Sequence, residues 1–94
     1  MRAADLVLLV TSELVTNAIN YGAGPIDVRI TYIDGVVRIE VSDSDPDTAR
    51  VVPRTRTAER PGGHGLHIVA ALTNRWGTAA RAGGKTVWAE LDSV

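Results

Sequence analysis

The sequence predicts an α+β fold, a two-layer sandwich with helices on one face of a mostly antiparallel sheet. Three observations predict it: two segments with helical periodicity, two pairs of alternating segments joined by glycine turns, and the order helix, strand, strand, long loop, helix, strand, strand. The whole pattern fits in 94 residues, which is one domain, here taken as residues 1–94. Phe is absent and only Tyr21, Tyr32, Trp76 and Trp88 are aromatic, so the core has to be built from Val, Leu, Ile and Ala.

From Asp5 to about Tyr21 the residues favour a helix, and Gly22-Ala23-Gly24-Pro25 stops it. At roughly 100° per residue, Val7, Val10, Leu14, Val15, Ala18, Ile19 and Tyr21 form a broad apolar arc, with Asp5, Ser12 and Thr16 opposite. Glu13 and Asn17 lie side by side at i and i+4 between the two faces. Ile26 to Tyr32 then alternates apolar and polar, Asp34-Gly35 is a strong hairpin turn, and Val36 to Asp43 alternates again. This hairpin is expected to bury one face. Val37, Ile39 and Val41 share that face, and the period of two adds Asp43, a carboxylate among apolar neighbours.

Ser44 to Gly63 carries three of the four prolines and little hydrophobic pattern, which reads as a long irregular loop. Loops longer than about 12 to 15 residues are usually functional or disordered. Gly65 to about Asn74 is helical, burying Leu66, Val69, Ala70 and Leu72. Arg75 to Ala80 and Lys85 to Leu91 form a second hairpin around Ala82-Gly83-Gly84, with Trp76 and Trp88 as packing residues.

Composition removes several function classes. Ten basic residues balance eleven acidic ones, so no field draws in a nucleic-acid backbone. The absence of Cys removes disulfides, zinc-cysteine sites and a thiol nucleophile, as expected of a cytoplasmic protein. The apolar run Leu6 to Val10 is too short to span a membrane, so a soluble chain without a signal is expected. Ala79 to Thr86 fits a relaxed P-loop pattern, but a P-loop needs a helix after it, and Val87 to Leu91 reads as a strand. His64 and His67 have no third ligand nearby in the sequence, which favours capping or surface roles over metal binding.

Three features carry chemistry: Glu13 with Asn17, Asp43 at a strand end, and the run Pro61-Gly62-Gly63-His64-Gly65 opening a helix. A glycine-rich turn at a helix N-terminus offers free backbone N–H groups and a positive dipole end, which suits phosphate. Near phosphate, an Asn can give its amide oxygen to magnesium and a Glu can take a proton from an attacking hydroxyl. An inward Asp can accept a hydrogen bond from an exocyclic amine such as that of adenine. Together they describe a nucleotide site.

Ser12-Glu13-Leu14-Val15-Thr16-Asn17-Ala18 resembles the N box of the GHKL ATPases, the superfamily that includes gyrase and the histidine kinases. Within it the likeness is to the bacterial anti-sigma factor serine/threonine kinases. Val41-Ser42-Asp43 with Pro46 resembles the first glycine box, Gly63 to Val69 the second, and Gly84-Lys85-Thr86-Val87 the last-strand motif, in the family's order from Leu6 to Leu91. The resemblance implies ATP and Mg2+ as cofactors and an N-terminally short form of the family's sandwich. It implies that Asn17 ligates magnesium, Glu13 is the general base and Asp43 binds the adenine amino group. Gly63 and Gly65 would contact the phosphates, His64, Leu66 and Thr86 would also belong to the nucleotide site, and residues 44–62 would form the ATP lid.

Two departures stand out: no glycine follows Asp43 before Asp47, and Lys85 follows Gly84 where the family usually has Thr. The function implied is an ATP-binding regulator that binds a sigma factor and phosphorylates an antagonist protein. Two alternatives stay open. One is a non-catalytic protein-interaction module that keeps the fold with weak or no ATP turnover, and the other is a detached catalytic module of a histidine kinase. A homodimer is compatible with the small core.

Overall fold

The computed structural model describes residues 2–47 and 63–92; most of the expected lid therefore lies outside the described residues. Helix α1 (Ala3–Tyr21) leads into strands β1 (Asp27–Ile33) and β2 (Val36–Asp43). Helix α2 (Gly63–Leu72) precedes strands β3 (Arg75–Arg81) and β4 (Gly84–Asp92). The described strands form one sheet in the order β1-β2-β4-β3, antiparallel at every pairing. This is the predicted α+β sandwich, with element ends shifted by one or two residues.

Alternation on β2 and β4 sorts the sheet into two faces. Val37, Ile39 and Val41 of β2 stand opposite Leu91, Ala89 and Val87 of β4, and all six are buried beneath Val10, Leu14 and Ala18 of α1 and Leu66 and Val69 of α2. Burying each larger aliphatic side chain stabilises the fold by roughly 1.5 to 3 kcal/mol, so these few contacts supply most of the cohesion available to so short a chain.

The first hairpin departs from expectation. Val28, Ile30 and Tyr32 pair with Val41, Ile39 and Val37 and so lie on the helix side, yet they remain 44%, 50% and 63% exposed. The reason is coverage: α1 packs on β2 and β4 while α2 packs on α1 and β3, which leaves β1 without an extensive helix contact among the described residues. The apolar arc of α1 is also narrower than its sequence suggests. Ile19 is 65% exposed, whereas Asn17 is carried inward to 2%.

The turns follow their chemistry. Asp34 and Gly35 both have positive φ, 53° and 79°, as a two-residue hairpin turn of matching twist requires. Gly84, expected in the second turn, is instead the first residue of β4. A Cβ built there would lie 1.9 Å from the Asp43 carbonyl oxygen, so only glycine lets β4 start this close to the end of β2.

The outer face of the sheet is polar. Arg38 lies 4.4 Å from the centre of the Trp88 ring and reaches Glu40 and Glu90, each at 3.0 Å. Arg75 pairs with Glu90 at 2.7 Å and with Asp92. Trp76, on the opposite face, packs against the core as expected. Hydrogen bonds from Arg75 and then Arg38 hold the Glu90 carboxyl below its ordinary range, and Arg75 does the same for Asp92. Among the described residues no helix is long and apolar enough to cross a membrane.

Two tests follow from this packing. Gly83→Ala meets open space and only a positive φ, costing about 1 to 2 kcal/mol, whereas Gly84→Ala forces the two strands apart and should lower the urea midpoint much further. Equal midpoints for the two variants would contradict the close approach. The carboxyls of Glu90 and Asp92 have folded pKa values below their unfolded ones, so their support is present above the unfolded range and is lost as pH falls through the lowered values. Arg75→Ala should move both titration midpoints upward in a carboxyl NMR titration, and unmoved midpoints would refute the pairing.

Candidate nucleotide site

α1 carries Glu13 and Asn17 one turn apart, about 6 Å along the axis at 1.5 Å per residue. Glu13 is partly buried, and Asn17 shares the buried face with Leu14 and Ala18. Burying an amide is unfavourable unless its polar atoms find partners, and helical winding alone sets Asn17 between the apolar and polar faces. The structure tucks it under.

At the end of the same helix the chain meets Asp43. A Cβ at Gly22 would sit 2.6 Å from Asp43 Oδ2, so the helix stop is pressed against the carboxylate. Ser44 donates its N–H to the Ala23 carbonyl at 2.7 Å, tying the loop after α1 to the end of β2. Asp43 is 0% exposed and Lys85 1%. The Lys85 ammonium donates to Asp43 Oδ1 at 3.0 Å and to the Asp45 carbonyl at 3.3 Å, and Oδ1 also accepts the Asp45 N–H at 2.8 Å. Asp43 Oδ2 is buried with no partner among the described residues.

Asp43 and Lys85 are direct cross-strand partners, which places them on the same helix-side face. The sequence reading found Asp43 and missed its cation. The signal was present: counting back by twos from Leu91, Ala89 and Val87 reaches Lys85, by the rule that had already singled out Asp43.

Thr86 belongs elsewhere. Its hydroxyl lies 2.8 Å from that of Ser42 on the outer face, so the structure does not bring it to Asp43, and Lys85 occupies the position facing the carboxylate. Gly63, His64 and Gly65 form the first turn of α2, where backbone N–H groups lack acceptors within the helix. Leu66 is buried in the core, so its side chain anchors that turn and only its backbone can face a ligand. His67 Nε2 is buried without a partner among the described residues. Among the described residues no three of His, Cys, Asp and Glu cluster as metal ligands.

These residues fit a purine nucleotide with magnesium. Oδ2 is a buried acceptor in want of a donor, as an exocyclic amine would supply, and the positive end of α2 suits phosphate. Magnesium commonly takes one or two protein oxygens and fills the rest of its shell with phosphate and water.

Removing the cation from a buried pair leaves an uncompensated charge, at a cost of about 3 to 5 kcal/mol. Lys85→Met should therefore lower folding stability strongly in urea titration, and Asp43→Leu added to it should restore most of the loss. A mild effect of Lys85→Met alone would show that the pair is solvated.

The sequence profile of the histidine kinase-like ATPase domain matches residues 1–91. Nine solved chains are similar, among them the Acinetobacter baumannii histidine kinase AdeS, with a TM-score of 0.61 and 17% sequence identity over 95% of this chain. The match covers 46% of that kinase chain, and at this identity it speaks for the fold. No curated protein matches. With the profile covering nearly its whole length, the chain belongs to the histidine kinase-like ATPase domain family.

Proposed function

We propose that this is an ATP-binding regulatory domain acting as a serine/threonine protein kinase of the anti-sigma factor kind, which binds a sigma factor and phosphorylates an antagonist protein. One observation carries the ATP reading: Asp43 Oδ2, a buried acceptor without a partner among the described residues, on the side of the sheet where α1 presents Glu13 and Asn17. The adenine amino group is the donor that satisfies it. The kinase reading is supported by Glu13 one turn from Asn17 and by the sequence likeness of the Ser12 to Ala18 segment.

The residues divide the work as follows. The first-turn N–H groups of α2 hold the phosphates, and Asn17 offers its amide oxygen to magnesium. Magnesium, when bound, neutralises charge on the phosphate oxygens. The Glu13 carboxylate takes the proton of the incoming serine or threonine hydroxyl while that oxygen forms its bond to the γ-phosphorus. The bond from the γ-phosphorus to the β-γ bridging oxygen breaks, and ADP leaves with that oxygen.

A second reading, a protein-interaction module without turnover, draws support from the exposed apolar residues Leu8, Ile19, Val28, Ile30, Tyr32 and Ile33.

Calorimetric titration with ATP, with and without Mg2+, tests the first reading. Wild-type chain should bind ATP in a magnesium-dependent way; Asp43→Asn should weaken binding at least about tenfold, the loss of one charge-assisted hydrogen bond, and Asn17→Ala, which removes the magnesium ligand, should weaken binding and abolish its dependence on magnesium. Glu13→Ala should bind ATP as well as the wild type but transfer phosphate about 10² to 10⁴ times more slowly. Full transfer by that variant would remove Glu13 as the base. A folded wild-type chain that binds no ATP would leave the interaction module as the function.

A further inference from the structure

An ammonium group has three N–H donors. Lys85 directs one to Asp43 Oδ1 and one to the Asp45 carbonyl, which leaves one donor unused among the described residues. Its partner Asp43 has one acceptor, Oδ2, unused among the described residues. Both side chains are buried, so neither group is satisfied by bulk water. A single ion pair between facing residues thus carries one unused acceptor and one unused donor, at the end of β2 and the start of β4. Buried polar groups are nearly always paired in folded proteins, and exceptions of this kind point to an absent partner.

The partner that completes both valences has a donor next to an acceptor. Adenine presents that pattern: the exocyclic amine donates, and the adjacent ring nitrogen N1 accepts. Guanine in the same pose presents a carbonyl to the carboxylate and an N–H to the ammonium, two repulsive contacts. From this arrangement we infer that Lys85 reads the base directly, donating a hydrogen bond to purine N1 while Asp43 Oδ2 accepts from the amine. Lys85 is then the residue that sets base specificity, and its occupation of the place facing Asp43 is a functional feature of this chain. The inference rests on the ATP-binding reading above and adds the residue that selects the purine.

The test compares ATP analogues on the wild-type 94-residue chain. In 1-deaza-ATP a C–H replaces N1 and the amine remains; in 7-deaza-ATP the change lies on the far side of the base. The expected result is binding of 7-deaza-ATP within a few-fold of ATP and binding of 1-deaza-ATP weaker by about tenfold or more, since a charged buried donor loses its acceptor. Equal affinity for ATP and 1-deaza-ATP would overturn the role of Lys85 while leaving the ATP site intact. Equal losses for both analogues would overturn it too, because the effect would not be local to N1. No binding of ATP at all would overturn the ATP reading and this inference with it. In Lys85→Met, which lacks the donor, ATP and 1-deaza-ATP should bind alike; persistence of the tenfold gap there would overturn the inference, and the wild-type comparison stands even where that variant fails to fold.

Discussion

The buried ion pair between Asp43 and Lys85 governs the arrangement of this small domain. Two charges removed from water demand close geometry and further hydrogen bonds, or their desolvation outweighs their attraction. The surrounding chain supplies both. Gly84 lets β4 begin against the β2 backbone, Gly22 lets the end of α1 press on the carboxylate, and Asp45 contributes its N–H to Asp43 and its carbonyl to Lys85. Helix, sheet and the start of the loop after β2 therefore meet at one polar point inside an otherwise aliphatic layer. The pair that joins the elements also keeps hydrogen-bonding capacity in reserve among the described residues, at Asp43 Oδ2.

The two faces of the sheet use charge in different ways. On the outer face Arg38, Glu40, Arg75, Glu90 and Asp92 form a partly exposed ladder in which each pair is screened by water and contributes little to stability. On the helix face one ion pair stands in a dry setting, where a mismatch is costly and geometry is consequently specific. Ser42 and Thr86, next in sequence to the buried pair, alternate to the outer face, where their hydroxyls lie 2.8 Å apart. The change of one position between Lys85 and Thr86 separates a side chain on the helix face from one on the outer face.

Much of this was legible in the amino-acid sequence. Helix periods, the Asp34-Gly35 turn and the alternation of β2 and β4 depend on local chemistry, and the structure repeats them almost residue for residue. Asp43 was legible as an anomaly in an apolar row. Lys85 obeyed the same period-2 rule but was read through its likeness to a motif that has Thr there, which drew attention to Thr86 instead. Coverage of β1 was not legible, because alternation reports that Val28, Ile30 and Tyr32 share a face and says nothing about whether a helix lies above it. The burial of Asn17 was missed for a related reason: helix winding gives angles, while the depth of a residue depends on where the neighbouring helix and sheet sit.

The central pairing of β2 with β4 joins positions far apart in the chain, with Asp43 and Lys85 separated by 42 residues. Everything between them, including the segment from Ser44 to Gly62, is an insertion in the ladder that makes the site. The entropy of closing such a loop grows only slowly with its length, by about 0.6 kcal/mol for each doubling. Segments inserted after Asp45 can consequently lengthen, shorten or change composition with small effect on the register of the strands. The buried ion pair and the segment after it are thus free to diverge separately, one held by geometry and the other open to adaptation.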